Sequence, residues 1–280
     1  STHAKRGNFL YLPYGPILDY ENADLVKQFF SSIKDFAKNN NFDFIRTSPF
    51  IDDSLKHADV FKQAGLKPAP IHITAENTWI LDLNKSEDEL MKEMKKNHRN
   101  LIRRCLKENV GIKIKTDSEA LATFNKLHDE TAKRHNFHRY SKDYIDKEFQ
   151  TFVKTDSVAL FEAYLPDGSH DATAFIIFYG NMAAYHHSAS LGLNKKIPTS
   201  YLIQWEIIKE AKRRGMRWYN FWGIAPENAS KNHPFHGITH FKKGFGGFQK
   251  DLLHCHDLPI TKKYWLNWVV ETVRKRKRGF

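Results

Sequence analysis

Between residues 112 and 222 the hydrophobic period of the chain switches in a fixed order, and that order limits its possible folds more than any other feature. Ile112 to Lys115 alternates like a strand after Gly111. Two helical stretches follow, one through Leu121, Phe124 and Leu127, the other opened by Ser141 and carrying Tyr144, Phe149 and Phe152. Three short strands come next: Val158 to Tyr164, Ala172 to Tyr179 and Met182 to Leu191. They are joined by turns at Pro166-Asp167-Gly168 and Gly180-Asn181. A helix from Thr199 to Arg214 closes at Gly215, and a buried-looking strand from Trp218 to Trp222 ends in Gly223. The order β-α-α-β-β-β-α-β predicts an α+β fold in which the three linked strands form one antiparallel meander.

The first half also alternates strand and helix. Asn8 to Leu18 reads as a strand, ended by Pro13, Gly15 and Pro16, and Asp24 to Lys38 as a helix with Leu25, Phe29, Ile33 and Phe36 at helical spacing. A strand at Phe42 to Thr47, a short helix at Asp53 to Gly65 and a strand-rich stretch at His72 to Leu83 follow. Ser86-Glu87-Asp88-Glu89 is a capping box. It predicts one helix running to Asn109, lined by Leu90, Met94, Leu101, Cys105 and Leu106, with Lys95, Lys96, Arg99, Arg103, Arg104 and Lys107 around it. In each half a strand, a helix and a strand lead to a similar phrase, Phe61-Lys62-Gln63-Ala64-Gly65-Leu66 and Phe241-Lys242-Lys243-Gly244-Phe245. This faint repeat predicts two related domains: a partial first one at 1–83, incomplete at its N-terminus, with 251–280 packing on it, and a second at 84–250.

The chain carries 44 Lys and Arg against 32 Asp and Glu, a formal charge of +12. Such a balance favours polyanionic partners (nucleic acid, anionic lipid or phosphorylated substrates), and a basic protein without one remains the alternative. No stretch is long and apolar enough to span a membrane. Two cysteines, Cys105 and Cys255, cannot build a disulfide framework and suit a reducing cytoplasm. The aromatic-apolar segment Tyr264 to Val270, followed by the basic run Arg274 to Arg278, suits either docking on an anionic bilayer or packing on the first domain with a loose tail.

Candidate chemistry is concentrated in a few places. No Ser-His-Asp or Cys-His arrangement is readable. His233, His236 and His240 have ligand-like spacing, but Pro234 and Gly237 interrupt them and the chain has 15 histidines, so no metal site is expected. His186 and His187 are neighbours on a strand, which predicts that they face opposite sides and share no site. Lys195 and Lys196 precede the helix at Thr199 and form an anion site by simple electrostatics. The segment Leu193 to Pro198 lacks the glycines of a coenzyme-A turn, and no cofactor is expected. In Phe241-Lys242-Lys243-Gly244-Phe245-Gly246-Gly247 the glycines permit a tight, backbone-exposing turn, and the lysines can face an anion or a developing oxyanion. A solvated turn is the plainer reading of the same residues.

Four phrases occur in one order: Tyr11-Leu12-Pro13-Tyr14-Gly15-Pro16, Trp79-Ile80-Leu81-Asp82-Leu83, His98-Arg99-Asn100-Leu101-Ile102-Arg103-Arg104 and the Phe241 to Gly247 run. Asp129-Glu130-Thr131-Ala132-Lys133-Arg134 and Tyr219-Asn220-Phe221-Trp222-Gly223 accompany them. Together they resemble the Fem family (FemA, FemB and FemX) of peptidoglycan-bridge aminoacyltransferases along essentially the whole chain, and the element order resembles the GNAT acyltransferase fold, in which two central strands splay apart around the acyl donor.

The resemblance implies paired GNAT-like domains, a donor aminoacyl-tRNA carrying Gly, Ala or Ser, and an acceptor that is lipid II or UDP-MurNAc-pentapeptide. It implies a cytoplasmic monomer that touches the inner face of the plasma membrane. The family's N-terminal strands, with a substrate-phosphate lysine, have no counterpart here, nor does the inserted coiled coil of staphylococcal members, which places the chain nearer the compact FemX type. The motif lysine maps to Lys242, as oxyanion or phosphate stabiliser, with Phe241 shaping the pocket. Arg139 and Tyr144 lie near the family's phosphate-binding arginine, one residue off the expected spacing. Tyr185, Lys195, Lys196, Lys243, Arg99 and Arg103 complete the expected substrate contacts. Asp82, Tyr185 and His186 are candidates to take the proton of the attacking amine, as are a substrate phosphate and solvent. Two other readings stay open: a GNAT-type N-acyltransferase with another acyl donor, and a non-catalytic RNA- or lipid-binding module.

Overall fold

The computed structural model describes residues 2–4, 7–135, 137–230 and 233–278. In chain order its elements are β1 (Thr2–Ala4), β2 (Gly7–Pro13), α1 (Ala23–Asn39), β3 (Phe44–Ser48), α2 (Leu55–Gln63), β4 (Lys67–Pro68), β5 (Asn77–Asp82), α3 (Glu87–Glu93) and α4 (Lys96–Lys107). Then come β6 (Gly111–Lys115), α5 (Ser118–His135), α6 (Lys142–Val153), β7 (Val158–Tyr164), β8 (His170–Tyr179), β9 (Met182–Ser190), α7 (Thr199–Arg213) and β10 (Trp218–Gly223). The chain ends with α8 (His236–Lys243), β11 (Phe248–Asp251), β12 (His256–Pro259) and α9 (Lys263–Arg278). These elements form two compact units, one of residues 1–78, 223–239 and 249–280, the other of residues 79–222 and 240–248.

The first unit is built on a five-stranded sheet in the order β1-β2-β3-β12-β4. Strands β2 and β3 run parallel, and β12 lies antiparallel between β3 and β4. Helix α1 is capped by the Asn22 side chain, which accepts from Leu25 N. It buries Val26, Phe30 and Ala37, whereas Leu25 and Phe36 are exposed. The apolar face is thus rotated by one residue from the one the sequence predicts, because Phe30 and Phe61 anchor the core beneath it. Strand β2 stops at Pro13, short of Leu18, where Tyr14 enters the left-handed region at φ 50°.

A buried ion cluster ties this unit together. Arg46 on β3 is 1% exposed and donates Nε and Nη2 to the two oxygens of Asp257 on β12, at 2.7 and 2.8 Å. It also donates to Glu271 on α9, at 3.2 and 2.7 Å. Burial still holds the Asp257 carboxyl above the usual carboxylate range despite the guanidinium beside it.

The second unit realises the β-α-α-β-β-β-α-β order as β6-α5-α6-β7-β8-β9-α7-β10. The seven-stranded sheet runs β11-β5-β10-β9-β8-β7-β6; β7 to β9 form the expected antiparallel meander, and β6 pairs antiparallel with β7 at its edge. Phe161, Ile176, Phe178, Ile207, Ile208, Tyr219 and Phe221 belong to the core on which α7 packs. The single basic helix read from Ser86 to Asn109 is in fact two. Helix α3 keeps the Ser86–Glu89 capping box but ends at Met94 (ψ 149°), and Lys95 (ψ 142°) is extended before α4 begins. Leu106, counted in the apolar stripe, is half exposed; His98, Ile102 and Cys105 carry the buried face.

Candidate active site

Three of the phrases singled out in the sequence meet in the second unit. Residues Phe241 to Lys243 are the last turn of α8, not an extended turn, and the glycines follow it. Neighbours on a helix point about 100° apart, so Lys242 and Lys243 do not face opposite ways. Lys242 is 4% exposed, and desolvation lowers its ammonium to about 7. Lys243 is only partly buried and sets Nζ 5.0 Å from the centre of the Trp79 ring.

The glycines explain how the phrase is held. A β-carbon on Gly244 would stand 1.9 Å from the His98 ring, and one on Gly247 (φ 91°) would stand 2.2 Å from the Ile80 carbonyl oxygen. His98, 1% exposed on α4, has Nε2 2.9 Å from the Phe241 carbonyl oxygen. Lys95 N donates to Gly244 O at 2.9 Å, and Trp79 Nε1 donates to Gly246 O at 2.6 Å. Phe241, partly buried, packs edge-on to Tyr201 and Phe245. The end of α8 is therefore fixed from β5 and from α4, and Lys242 is held with it.

The central parallel pair of the sheet is β9 and β10. Strands β9 and β10 run parallel and pair only at Met182–Ala184 with Trp218–Asn220. Beyond that point Trp222 is in the left-handed region at φ 67°, its N–H donating to Asn220 Oδ1 at 2.7 Å. At the same level β9 carries a β-bulge: Phe175 faces His187 and Ile176 faces Tyr185, so His186 is the extra residue. The expectation that His186 and His187 cannot share a site fails for this reason. Both rings turn to Glu148 on α6, His186 Nε2 to Oε1 and His187 Nε2 to Oε2, each at 2.9 Å.

A model of the FemAB family matches residues 1–69, 61–170 and 162–272. The chain belongs to the FemAB family. It is an enzyme of the acyltransferase class. A lipid II:glycine glycyltransferase of Staphylococcus epidermidis is 21% identical to it, over 95% of this chain and 80% of the relative. The crystal structure of FemX superposes with a TM-score of 0.79 at 19% identity, covering 93% of this chain and 82% of that one. A tandem GNAT protein from the clavulanic acid biosynthesis pathway matches with a TM-score of 0.51 at 13% identity, covering 84% of this chain and 69% of that one. The fold is thus the mixed α+β, GNAT-like one.

The other residues that the FemAB resemblance marked lie in distinct settings. Arg139 donates to the backbone oxygen and Oδ1 of Asn125, at 2.8 and 2.7 Å, and pairs with Asp129 at 3.0 Å, so its guanidinium is already engaged. Tyr144 is 46% exposed and stacks on Tyr140, ring centroids 4.7 Å apart. Glu148 lies one turn further along the same face of α6. Tyr185 sits on the core edge, and burial raises its hydroxyl. Arg99 caps the preceding helix end, donating to the carbonyls of Lys92 and Met94. Arg103, Lys195 and Lys196 are exposed. Asp82 accepts from Asn84 N in a turn. At the start of α7, Asp171 is itself buried and accepts from Leu193 N at 2.7 Å and from the Thr199 hydroxyl at 2.5 Å. An internal carboxylate thus occupies the region where sequence alone suggested an external anion.

Sequence reasoning missed Glu148 and Asp171. Both are single carboxylates in unremarkable context, and only the packing of α6 and α7 on the sheet gives them partners.

Proposed function

We propose that this chain moves an aminoacyl group, Gly, Ala or Ser, from aminoacyl-tRNA to the stem-peptide amine of lipid II or UDP-MurNAc-pentapeptide. The observation that carries this reading is the buried Lys242 beside Phe241, in a helix end pinned by His98 and Trp79. In the reaction the neutral amine attacks the ester carbonyl carbon and a tetrahedral oxyanion forms. The carbon–oxygen bond to the tRNA ribose then breaks, and the proton given up by the amine is matched by one taken by the departing ribose hydroxyl. An ammonium in a water-poor site stabilises the oxyanion far more than it stabilises the ester, by about 3–4 kcal/mol for a single such donor.

In this reading Lys242 is the oxyanion stabiliser and Phe241 shapes the pocket. Tyr144 and Tyr185 line the acceptor path. Exposed Arg103, Lys195 and Lys196 attract the phosphates, and Arg99, Arg139 and Lys243 hold neighbouring backbone and rings in place. The second GNAT-like domain is taken as residues 84–250, with 251–280 belonging to the first.

A lipid-linked acceptor also brings the protein to the inner leaflet. Helix α9 suits that surface: Trp265, Leu266, Val269 and Val273, each 46–60% exposed, fall within about a 100° arc at 3.6 residues per turn. Tyr264, Asn267 and Glu271 on the other side are buried. Arg274, Arg276 and Lys277 are exposed at its end; the side chain of Arg278, part of the basic run noted in the sequence, lies outside the described residues. Among the described residues no helix is long and apolar enough to cross a membrane.

The deciding experiment supplies purified protein with charged tRNA and a pentapeptide precursor, then separately with acetyl-coenzyme A and the same precursor. Mass spectrometry of the acceptor should show an added aminoacyl residue in the first mixture only. Acetylation alone would replace this reading with an ordinary N-acetyltransferase.

A further inference from the structure

The bulge in β9 has a chemical consequence. In a regular strand His186 and His187 would point to opposite faces. The extra residue brings both imidazoles to one carboxylate, and one ligand atom from each of Glu148, His186 and His187 lies within 4.8 Å of the other two. It is the one such group of three among the described residues. We propose that Glu148, His186 and His187 form a binding site for one divalent transition-metal ion, with zinc the best match.

The donor set selects the ion. Two imidazole nitrogens and one carboxylate oxygen are a zinc set that leaves a coordination position open, whereas calcium and magnesium want oxygen throughout. Zinc bonds of about 2.0–2.1 Å at tetrahedral angles put neighbouring donors about 3.3 Å apart. His186 Nε2 lies 2.9 Å from Glu148 Oε1 and His187 Nε2 2.9 Å from Oε2, so whichever oxygen binds the ion already has one imidazole within a few tenths of an ångström of that spacing. The open position would take water or an anionic oxygen.

The surroundings fit a held ion. Side-chain exposure is 17% for His186, 7% for His187 and 12% for Glu148, so bulk water competes little for the donors. The His187 ring meets Phe175 edge-on at 5.5 Å and Tyr140 at 5.8 Å, and the His186 ring meets Trp222 edge-on at 4.9 Å. These contacts set both ring orientations before any ion arrives.

A proton-transfer role for His186 fits less well. Its Nε2 is on Glu148 and its Nδ1 is buried without a hydrogen-bond partner, so the ring presents neither nitrogen to a substrate. An ion on Nε2 moves the ring proton to that same unpartnered Nδ1. His186 is therefore the weakest of the three ligands, since metal-bound imidazoles are normally supported at the second nitrogen.

The test uses the full chain, stripped with a chelator and titrated with Co²⁺ while visible absorption is recorded. A parallel sample is dialysed against Zn²⁺ and its metal content measured. One equivalent of either ion is expected, with a rise in melting temperature. Glu148→Gln and His187→Asn should each weaken uptake at least 10-fold, His186→Asn less, and His57→Asn, in the first unit, not at all. Wild-type protein that takes up no stoichiometric metal at micromolar concentrations overturns the proposal. So does uptake that persists unchanged in folded Glu148→Gln and His187→Asn proteins, which would leave the three residues as a hydrogen-bonded clamp.

Discussion

The His98 ring stands where a β-carbon on Gly244 would have to be, 1.9 Å from its ideal position. Two segments 146 positions apart in the sequence are thus matched in shape, one by a buried imidazole and the other by having no side chain. Gly244→Ala should cost about 1–3 kcal/mol by overpacking and should displace the end of α8, with amide formation falling at least 10-fold. In a His98→Ala background the same substitution should cost much less. A double-mutant cycle in urea measures this, and additive losses would show that the two positions do not compete for space.

Arg46 pairs with two carboxyl groups at once. Arg46→Met leaves Asp257 and Glu271 facing each other without a cation, and should lower stability by about 3–5 kcal/mol. The urea midpoint is the readout, and a loss under 1 kcal/mol would mean that water or another cation replaces the guanidinium.

The Lys242 ammonium is lowered by burial to about 7, against an ordinary value near 10.5. Between those values the unfolded chain binds more protons at this residue than the folded one, so its contribution makes stability rise as pH goes from 7 towards 10.5. Lys242→Met should flatten that rise. Turnover should move the other way: a cationic stabiliser is lost as pH climbs through 7, so wild-type kcat should fall there. A kcat that instead climbs through the same range in the wild type, and no longer does so in Lys242→Met, would mark Lys242 as a base.

Helix α9 presents apolar and basic groups together. Leu266→Glu with Val269→Glu should weaken binding to phosphatidylglycerol vesicles at least 10-fold in a flotation assay, with the melting temperature nearly unchanged because both positions are exposed. Equal flotation of the variant and the wild type would remove α9 from the membrane contact.

Much of the second unit is legible in its sequence because its signals are local. Short apolar runs within Val158 to Leu191 and turn residues at Gly168 and Gly180 suffice for the meander. The Phe241 to Gly247 phrase marks the site by composition. What could not be read depends on distant partners. The His186–His187 pairing needs the register of β9 against β8, which no alternation rule contains. The break between α3 and α4 falls at Met94 and Lys95, with no glycine or proline to signal it. Arg46 meets carboxylates 211 and 225 residues away. The helical state of Lys242 and Lys243 was hidden by the glycines that follow, which terminate α8 rather than dissolve it.

The central claim is that Lys242 stabilises the transition state of aminoacyl transfer, and the most direct measurement compares Lys242→Met with Lys243→Met. Amide formation is followed with matched charged tRNA and precursor, extracting kcat and KM for each. Lys242→Met should lower kcat at least 100-fold with KM little changed, because the charge it meets develops in the transition state. Lys243→Met, which removes a cation from the Trp79 face, should lose less than 10-fold. Equal and mild losses in the two variants would contradict the account and place the stabilising charge elsewhere.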